Sequence, residues 1–151
     1  MPEPPASGDL LDLGCGWGPV TLALALQSPG ATVWAVDVNE RALALAAANA
    51  RHLGLAGVRA VAPDAVPDDA SFAAIWSNPP IRVGKAELHA LLLRWLPRLA
   101  PDGLAHLVVQ RNLGADSLQR WLEEEFPDHG VERVRTEKAF RVLRVARPGG
   151  A

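Results

Sequence analysis

The sequence predicts an α/β chain built on a doubly wound, mostly parallel seven-stranded sheet with an antiparallel hairpin at its C-terminal end. Three observations carry that expectation. Residues 9–26, D-L-L-D-L-G-C-G-W-G-P-V-T-L-A-L-A-L, pass from a short apolar strand through a turn with glycines at 14, 16 and 18 straight into an apolar helix. Strand and helix patterns then alternate along the chain, the signature of strand–helix–strand units packed side by side. The last two strand patterns are joined only by Glu137, Lys138 and Ala139. A parallel crossover needs a dozen or more residues, so these two strands must be antiparallel.

The Pro-rich residues 1–8 read as a frayed arm, residues 9–147 as one domain and residues 148–151 as a tail. Strand one (residues 10–13) and its helix (20–26) are followed by a Pro29-Gly30 turn and a second buried strand, T-V-W-A-V, at 32–36. Asn39 is placed to cap a helix over 41–53 that is almost all Ala and Leu, and Gly54 to close it. A third strand spans 58–62 and a fourth, F-A-A-I-W, spans 72–76. Two prolines in S-N-P-P-I-R-V-G-K then forbid strand and helix alike, which makes residues 77–85 a rigid loop. The spacing of Leu88, Leu91, Leu92, Trp95, Leu96 and Leu99 predicts a helix over 86–99, with its apolar stripe in the core and its end at Pro101-Asp102-Gly103. A fifth strand (104–109), an amphipathic helix (117–126) and the strands at 131–136 and 140–146 complete the chain.

At 151 residues with 49% apolar and 21% charged side chains, the composition is that of a single globular domain with a sizeable core. The lone Cys15 has no disulfide partner within the chain, and the four histidines stand far apart, so neither a disulfide framework nor a zinc cluster is expected. Neither a signal-peptide pattern at the start nor an 18-residue apolar run is present, so the expectation is a cytoplasmic, monomeric protein with no membrane and no metal. Charge is unevenly placed. Residues 1–80 hold three basic and eight acidic side chains, and residues 81–151 hold twelve and nine. Within residues 133–147, six basic residues face only Glu137, a stripe that suits a polyanion such as RNA or a solvated strand pair with arginines on one face.

Ligands of doubly wound sheets sit at the carboxyl ends of the strands. The loops meeting there carry Gly14, Gly16 and Gly18, then Asp37, Asp64 and Asn78-Pro79-Pro80. Glycine has no Cβ and tolerates positive φ, so the first turn can approach a ligand closely with the next helix's free amides behind it. Asp37, 23 residues after Gly14 at the end of the second strand, is placed to accept hydrogen bonds from ribose hydroxyls. That much fits a nicotinamide cofactor too, although the turn is G-C-G-W-G rather than G-x-G-x-x-G and no second domain is present to carry a hydride acceptor.

The glycine turn, the ribose carboxylate, the N-P-P loop after the fourth strand and the terminal hairpin together resemble the class I S-adenosylmethionine-dependent methyltransferases, a Rossmann-like fold. More narrowly, D-L-G-C-G-W-G-P-V and N-P-P-I-R-V-G-K look like the methyltransferase small domain of ribosomal RNA guanine methyltransferases that modify the exocyclic amine. The resemblance covers about residues 9–147. It implies S-adenosyl-L-methionine as cofactor and ribosomal RNA as substrate. Asp12, Gly14, Gly16 and Gly18 would line the methionine and ribose part, Asp37 the ribose hydroxyls, and Asp64 with Ala65 the adenine. Asn78, Pro79 and Pro80 would be catalytic, with the Asn78 oxygen and a carbonyl of the same loop accepting the amine hydrogens.

Many amine-methylating relatives carry an aromatic residue after the two prolines, where this chain has Ile81, which packs on a base without π stacking. Arg82 and Lys85 would meet RNA phosphates, as would Lys138 in the hairpin link. Such relatives also carry a segment before the first strand, where only eight residues stand here, which leads to the expectation of a truncated form, an isolated catalytic domain or a minimal enzyme. Two substrates of the same chemistry, a protein glutamine amide and DNA adenine, stay open, as does a non-catalytic module that binds RNA or protein.

Overall fold

The structure, a computed structural model, describes residues 2–78, 84–110 and 114–149. Its strands are β1 (Ser7–Leu13), β2 (Gly30–Val36), β3 (Val58–Val61), β4 (Phe72–Ser77), β5 (Leu99–Gln110), β6 (Gly130–Thr136) and β7 (Phe140–Ala146). The helices are α1 (Pro19–Gln27), α2 (Glu40–His52), α3 (Lys85–Trp95) and α4 (Ala115–Glu125). All seven strands form one sheet in the order β3-β2-β1-β4-β5-β7-β6. The pairs from β3 to β5 are parallel, and β7 runs antiparallel to both β5 and β6. The chain winds outward from β1 in one direction and from β4 in the other, so the crevice between the carboxyl ends of these two strands is the switch point.

Side-chain parity assigns the two faces. Leu11, Ile75, Leu107, Leu143 and Val145 point to one side and meet Leu88, Leu92 and Trp95 of α3 and Leu118 and Leu122 of α4 in the main core. Each fully buried leucine there contributes about 1.5–3 kcal/mol by leaving water. On the other side, Leu10 and Val33 pack on Leu24 and Ala25 of α1, and Ala35 packs with Cys15 and Ala46 of α2. Small residues dominate this second contact, which lets α2 lie close to the sheet. Asn39 caps α2 as expected, its side-chain oxygen accepting from the Ala42 amide at 3.1 Å. Gly54 takes the left-handed φ of 69° that turns the chain out of the helix.

Three boundaries differ from the sequence reading by three residues or more. The helix expected over 86–99 ends at Trp95, and Leu96–Arg98 is a 3-10 turn. Pro97 is the cause: it has no N–H to continue the ladder. β5 therefore starts at Leu99 and carries Pro101-Asp102-Gly103 within it, with Asp102 at φ 65° and a register irregularity opposite Phe72 and Ala74. At the chain start, β1 begins at Ser7 rather than Leu10. Among the described residues, no helix is long and apolar enough to cross a membrane, and no group of His, Cys, Asp or Glu stands together to hold a metal ion.

Candidate functional site

The turn after β1 is held by the strand beside it. The Gly14 and Cys15 amides both donate to the Val36 carbonyl, at 2.8 and 3.1 Å, and the Gly18 amide donates to the Cys15 carbonyl at 3.0 Å. Gly14, Gly16 and Gly18 have φ of 74°, 56° and 105°, values that a side chain would strain. Asp37 closes the loop from β2: its Oδ2 accepts the Gly16 amide at 3.0 Å and its Oδ1 the Asn39 amide at 2.9 Å. Each oxygen keeps a second lone pair, so the carboxylate is oriented by backbone and still able to accept from a diol.

Beneath the turn, Asp12 is 2% exposed and accepts a hydrogen bond from Thr21 Oγ1 at 2.7 Å. Burial pushes its carboxyl up to about 6, and the nearby Asp37 charge adds to this, while the Thr21 hydrogen bonds oppose it. The folded state thus holds the proton to a higher pH than the unfolded chain does. Stability that is fully present below pH 3.8 is lost as pH rises through about 6. Asp12→Asn is expected to melt with the wild type below pH 4 and to gain on the order of 3 kcal/mol over it above pH 7. Paired thermal melts across that range check it. Burial, with Asp12 and Asp37 near, also pushes the Cys15 thiol up to about 12, so this cysteine offers no thiolate near neutral pH.

A cavity of about 520 Å³ opens at the switch point. Gly14, Gly16 and Asp37 form one wall, Leu13 and Val36 the floor, Ser77 and Asn78 the end of β4, and Glu87, Leu91 and Trp95 of α3 the far wall, with Val38 and Pro63 at the rim. A Cβ added at Gly16 would meet no atom within 4 Å, and one at Gly14 would come within 3.8 Å of the Asn78 carbonyl. A bare backbone turn, a diol-accepting carboxylate and an apolar slot at one crevice fit a nucleoside-bearing cofactor.

The structure thus brings Gly14, Gly16, Asp37 and Asn78 to one cavity. Asp12 and Gly18 stand behind the turn, where a Cβ on Gly18 would come within 3.2 Å of the Ala46 Cβ. Asp64 and Ala65 lie in a 3-10 turn, Pro63–Ala65, of which Pro63 reaches the cavity rim. The Asp64 side chain is 96% exposed and pairs with Arg94 at 3.0 Å, and the Ala65 amide donates to the Ala62 carbonyl. Pro79, Pro80, Ile81 and Arg82 lie outside the described residues. Lys85 is exposed at the start of α3. Lys138 is exposed in the β6–β7 link, at the carboxyl end of β5, because Gln110 pairs with Phe140.

The basic stripe is largely matched within the fold. Arg133 pairs with Asp116, Arg135 with Glu137 and Arg144 with Glu132, while Arg141 donates to the carbonyls of Glu137 and Phe140, and Arg147 to that of Leu99. The solvated-hairpin reading therefore describes these arginines better than a polyanion surface does. Exposed pairs of this kind contribute about 0–1 kcal/mol each. Three site features escape the sequence reading: the cavity face of α3, the Ser77 end of β4, and Asn49 of α2, whose Nδ2 donates to the Trp17 carbonyl at 3.1 Å. Asn49 carried a signal, being the one amide in the run A-A-A-N-A-R.

Residues 1–144 match the model of the methyltransferase small domain family. The uncharacterized protein YbxB of Bacillus subtilis is 37% identical over 145 residues, covering 94% of this chain and 71% of that protein. The release factor glutamine methyltransferase of Bordetella pertussis is 40% identical over 111 residues, 68% of this chain and 40% of the enzyme. The ribosomal RNA small subunit methyltransferase C of Shewanella amazonensis is 30% identical over 114 residues, 73% of this chain and 33% of the enzyme. Among solved structures, the T. thermophilus 16S rRNA N2 G1207 methyltransferase, in complex with AdoMet and guanosine, superposes with a TM-score of 0.77 at 26% identity. That match covers 92% of this chain and 37% of the enzyme.

Fold and site together define the Rossmann-like S-adenosylmethionine-dependent methyltransferases. The chain belongs to the methyltransferase small domain family, which sets aside the nicotinamide alternative. It spans a third to two fifths of the length of these three enzymes.

Proposed function

We propose that this chain transfers a methyl group from S-adenosylmethionine to an exocyclic amine, that of guanine in ribosomal RNA, and that it does so as a cytoplasmic monomer without a metal. The observation that carries the reading is Asn78, set at the end of β4 on the same cavity as Gly14, Gly16 and Asp37. When bound, S-adenosylmethionine supplies a sulfonium methyl open to in-line attack. Everything else falls to the chain's own residues. Asp37 holds the ribose hydroxyls, Gly14 and Gly16 let the backbone approach, and Asp12 and Gly18 act through the turn they support. Asp64 and Ala65 stand on the adenine side.

An exocyclic aromatic amine is a poor nucleophile because its lone pair is delocalised into the ring. The Asn78 side-chain oxygen and a carbonyl of its loop accept the two amine hydrogens and draw the nitrogen toward tetrahedral geometry, and Pro79 and Pro80 stiffen that pair of acceptors. Holding nitrogen and methyl carbon about 3–3.5 Å apart supplies roughly 7–11 kcal/mol by positioning. The nitrogen–methyl bond would form as the carbon–sulfur bond breaks and S-adenosylhomocysteine leaves, and the ammonium-like product, being acidic, would lose its proton to water without a strong base. Ile81 packs on the base, and Arg82, Lys85 and Lys138 meet RNA phosphates.

A second reading, methylation of a protein glutamine amide, draws on the 40% identity to the Bordetella pertussis enzyme. Labelled methyl donor, offered in parallel with total RNA, a release-factor protein and DNA, separates the substrates. Label is expected in RNA, and label confined to the protein would establish the glutamine reading instead.

A further inference from the structure

We propose that Asn49 is a positioning residue for the cofactor turn: from α2, it holds the peptide between Trp17 and Gly18 in the orientation that the cavity wall requires. The inference rests on the reading of this cavity as the S-adenosylmethionine site. That peptide is tied at both ends. Its N–H, on Gly18, donates to the Cys15 carbonyl at 3.0 Å, and its carbonyl, on Trp17, accepts from Asn49 Nδ2 at 3.1 Å, 32 residues further along the chain. The other ties on the turn come from its own backbone, from the Cys15 thiol, which donates to the Gly16 carbonyl at 3.4 Å, from β2 and from Asp37. Among the described residues, Asn49 gives the one side-chain hydrogen bond to the turn from α2.

Little else restrains this peptide. The Trp17 side chain is 57% exposed and Gly18 has no side chain to pack. α1 opens on Gly18 without a side-chain cap. Meanwhile Ala46, one turn before Asn49 on the same helix, sits close enough to Gly18 that any Cβ there would be crowded. α2 thus braces the turn with a small residue against Gly18 and an amide on the carbonyl beside it. Asparagine is a poor helix former, and in a helix otherwise rich in Ala and Leu its place is explained by this bond rather than by propensity. If the Trp17–Gly18 peptide rotates, the Cys15 carbonyl loses its donor, and Gly16, hydrogen-bonded to Asp37, shifts with it.

The test uses the full chain with Asn49→Ala and the isosteric Asn49→Asp, which has no N–H to donate. Calorimetric titration with S-adenosylhomocysteine is expected to show the dissociation constant raised about three- to tenfold in Asn49→Ala and at least as much in Asn49→Asp. Hydrogen exchange in the free proteins is expected to quicken at the Gly16 and Gly18 amides. Unchanged affinity and unchanged exchange in both variants, with only a lower melting temperature, would make Asn49 a packing residue and overturn the proposal. Absence of binding by the wild type would instead bring down the reading of the cavity, while the exchange rates would still report whether Asn49 holds the turn.

Discussion

Asn78→Ala is expected to lower the turnover number by about 10²- to 10³-fold while the dissociation constant for S-adenosylhomocysteine stays within about threefold of the wild type. The split follows from where the residue stands. Asn78 directly follows β4 and lines the cavity, whereas the turn and Asp37, assigned to the nucleoside under this proposal, follow β1 and β2. Under the proposed mechanism, removing its amide would take away an acceptor for the attacking amine and leave Gly14, Gly16 and Asp37 in place. Asn78→Asp keeps an acceptor but adds a charge beside Asp37 and Glu87 on the same cavity, so it is expected to recover only part of the rate. Steady-state rates at saturating donor, set beside calorimetric titrations, read both numbers. Equal losses in rate and in donor affinity would place Asn78 on the cofactor rather than on the substrate.

Asp37→Ala is expected to do the opposite and to raise the dissociation constant for S-adenosylhomocysteine by about 100-fold. A hydrogen bond to a charged acceptor contributes about 1.5–3 kcal/mol, and Asp37 is placed to accept from two ribose hydroxyls. Part of the loss is indirect, because the same carboxylate receives the Gly16 and Asn39 amides at 3.0 and 2.9 Å and so shapes the turn and the start of α2. Asp37→Asn keeps one oxygen and is expected to fall between the two. Titration calorimetry on the three proteins gives the order directly, and an Asp37→Ala protein that binds as tightly as the wild type would remove this residue from the site.

The parts of this architecture that local chemistry decides were legible in the sequence. Gly14, Gly16 and Gly18 mark a turn because only positive φ lets β1 bend so sharply into α1. The three-residue link at Glu137 to Ala139 leaves β6 and β7 no choice but to run antiparallel. What stayed hidden depends on partners far along the chain. Asp64, which the resemblance sets near an adenine amine, also pairs with Arg94, 30 residues away, a partner that no local pattern shows. The arginines of β6 and β7 leave a polyanion stripe and a solvated strand pair both open in a linear pattern, because Asp116, on α4, is out of sight there. Leu91 and Trp95 repeat at helical spacing, which says that they are apolar and says nothing of the cavity that they share with Glu87. Pro97 is the exception: its missing N–H is visible in the sequence and ends the helix although the leucine stripe runs on past it.

The central claim, transfer of methyl to the amine of guanine, is tested most directly by digesting RNA methylated with labelled donor to nucleosides and locating the label. N2-methylguanosine is the expected product, lost in the Asn78→Ala protein. Label on a ring nitrogen, a ring carbon or a ribose oxygen would contradict it, since Asn78 and its loop would then have no pair of amine hydrogens to accept.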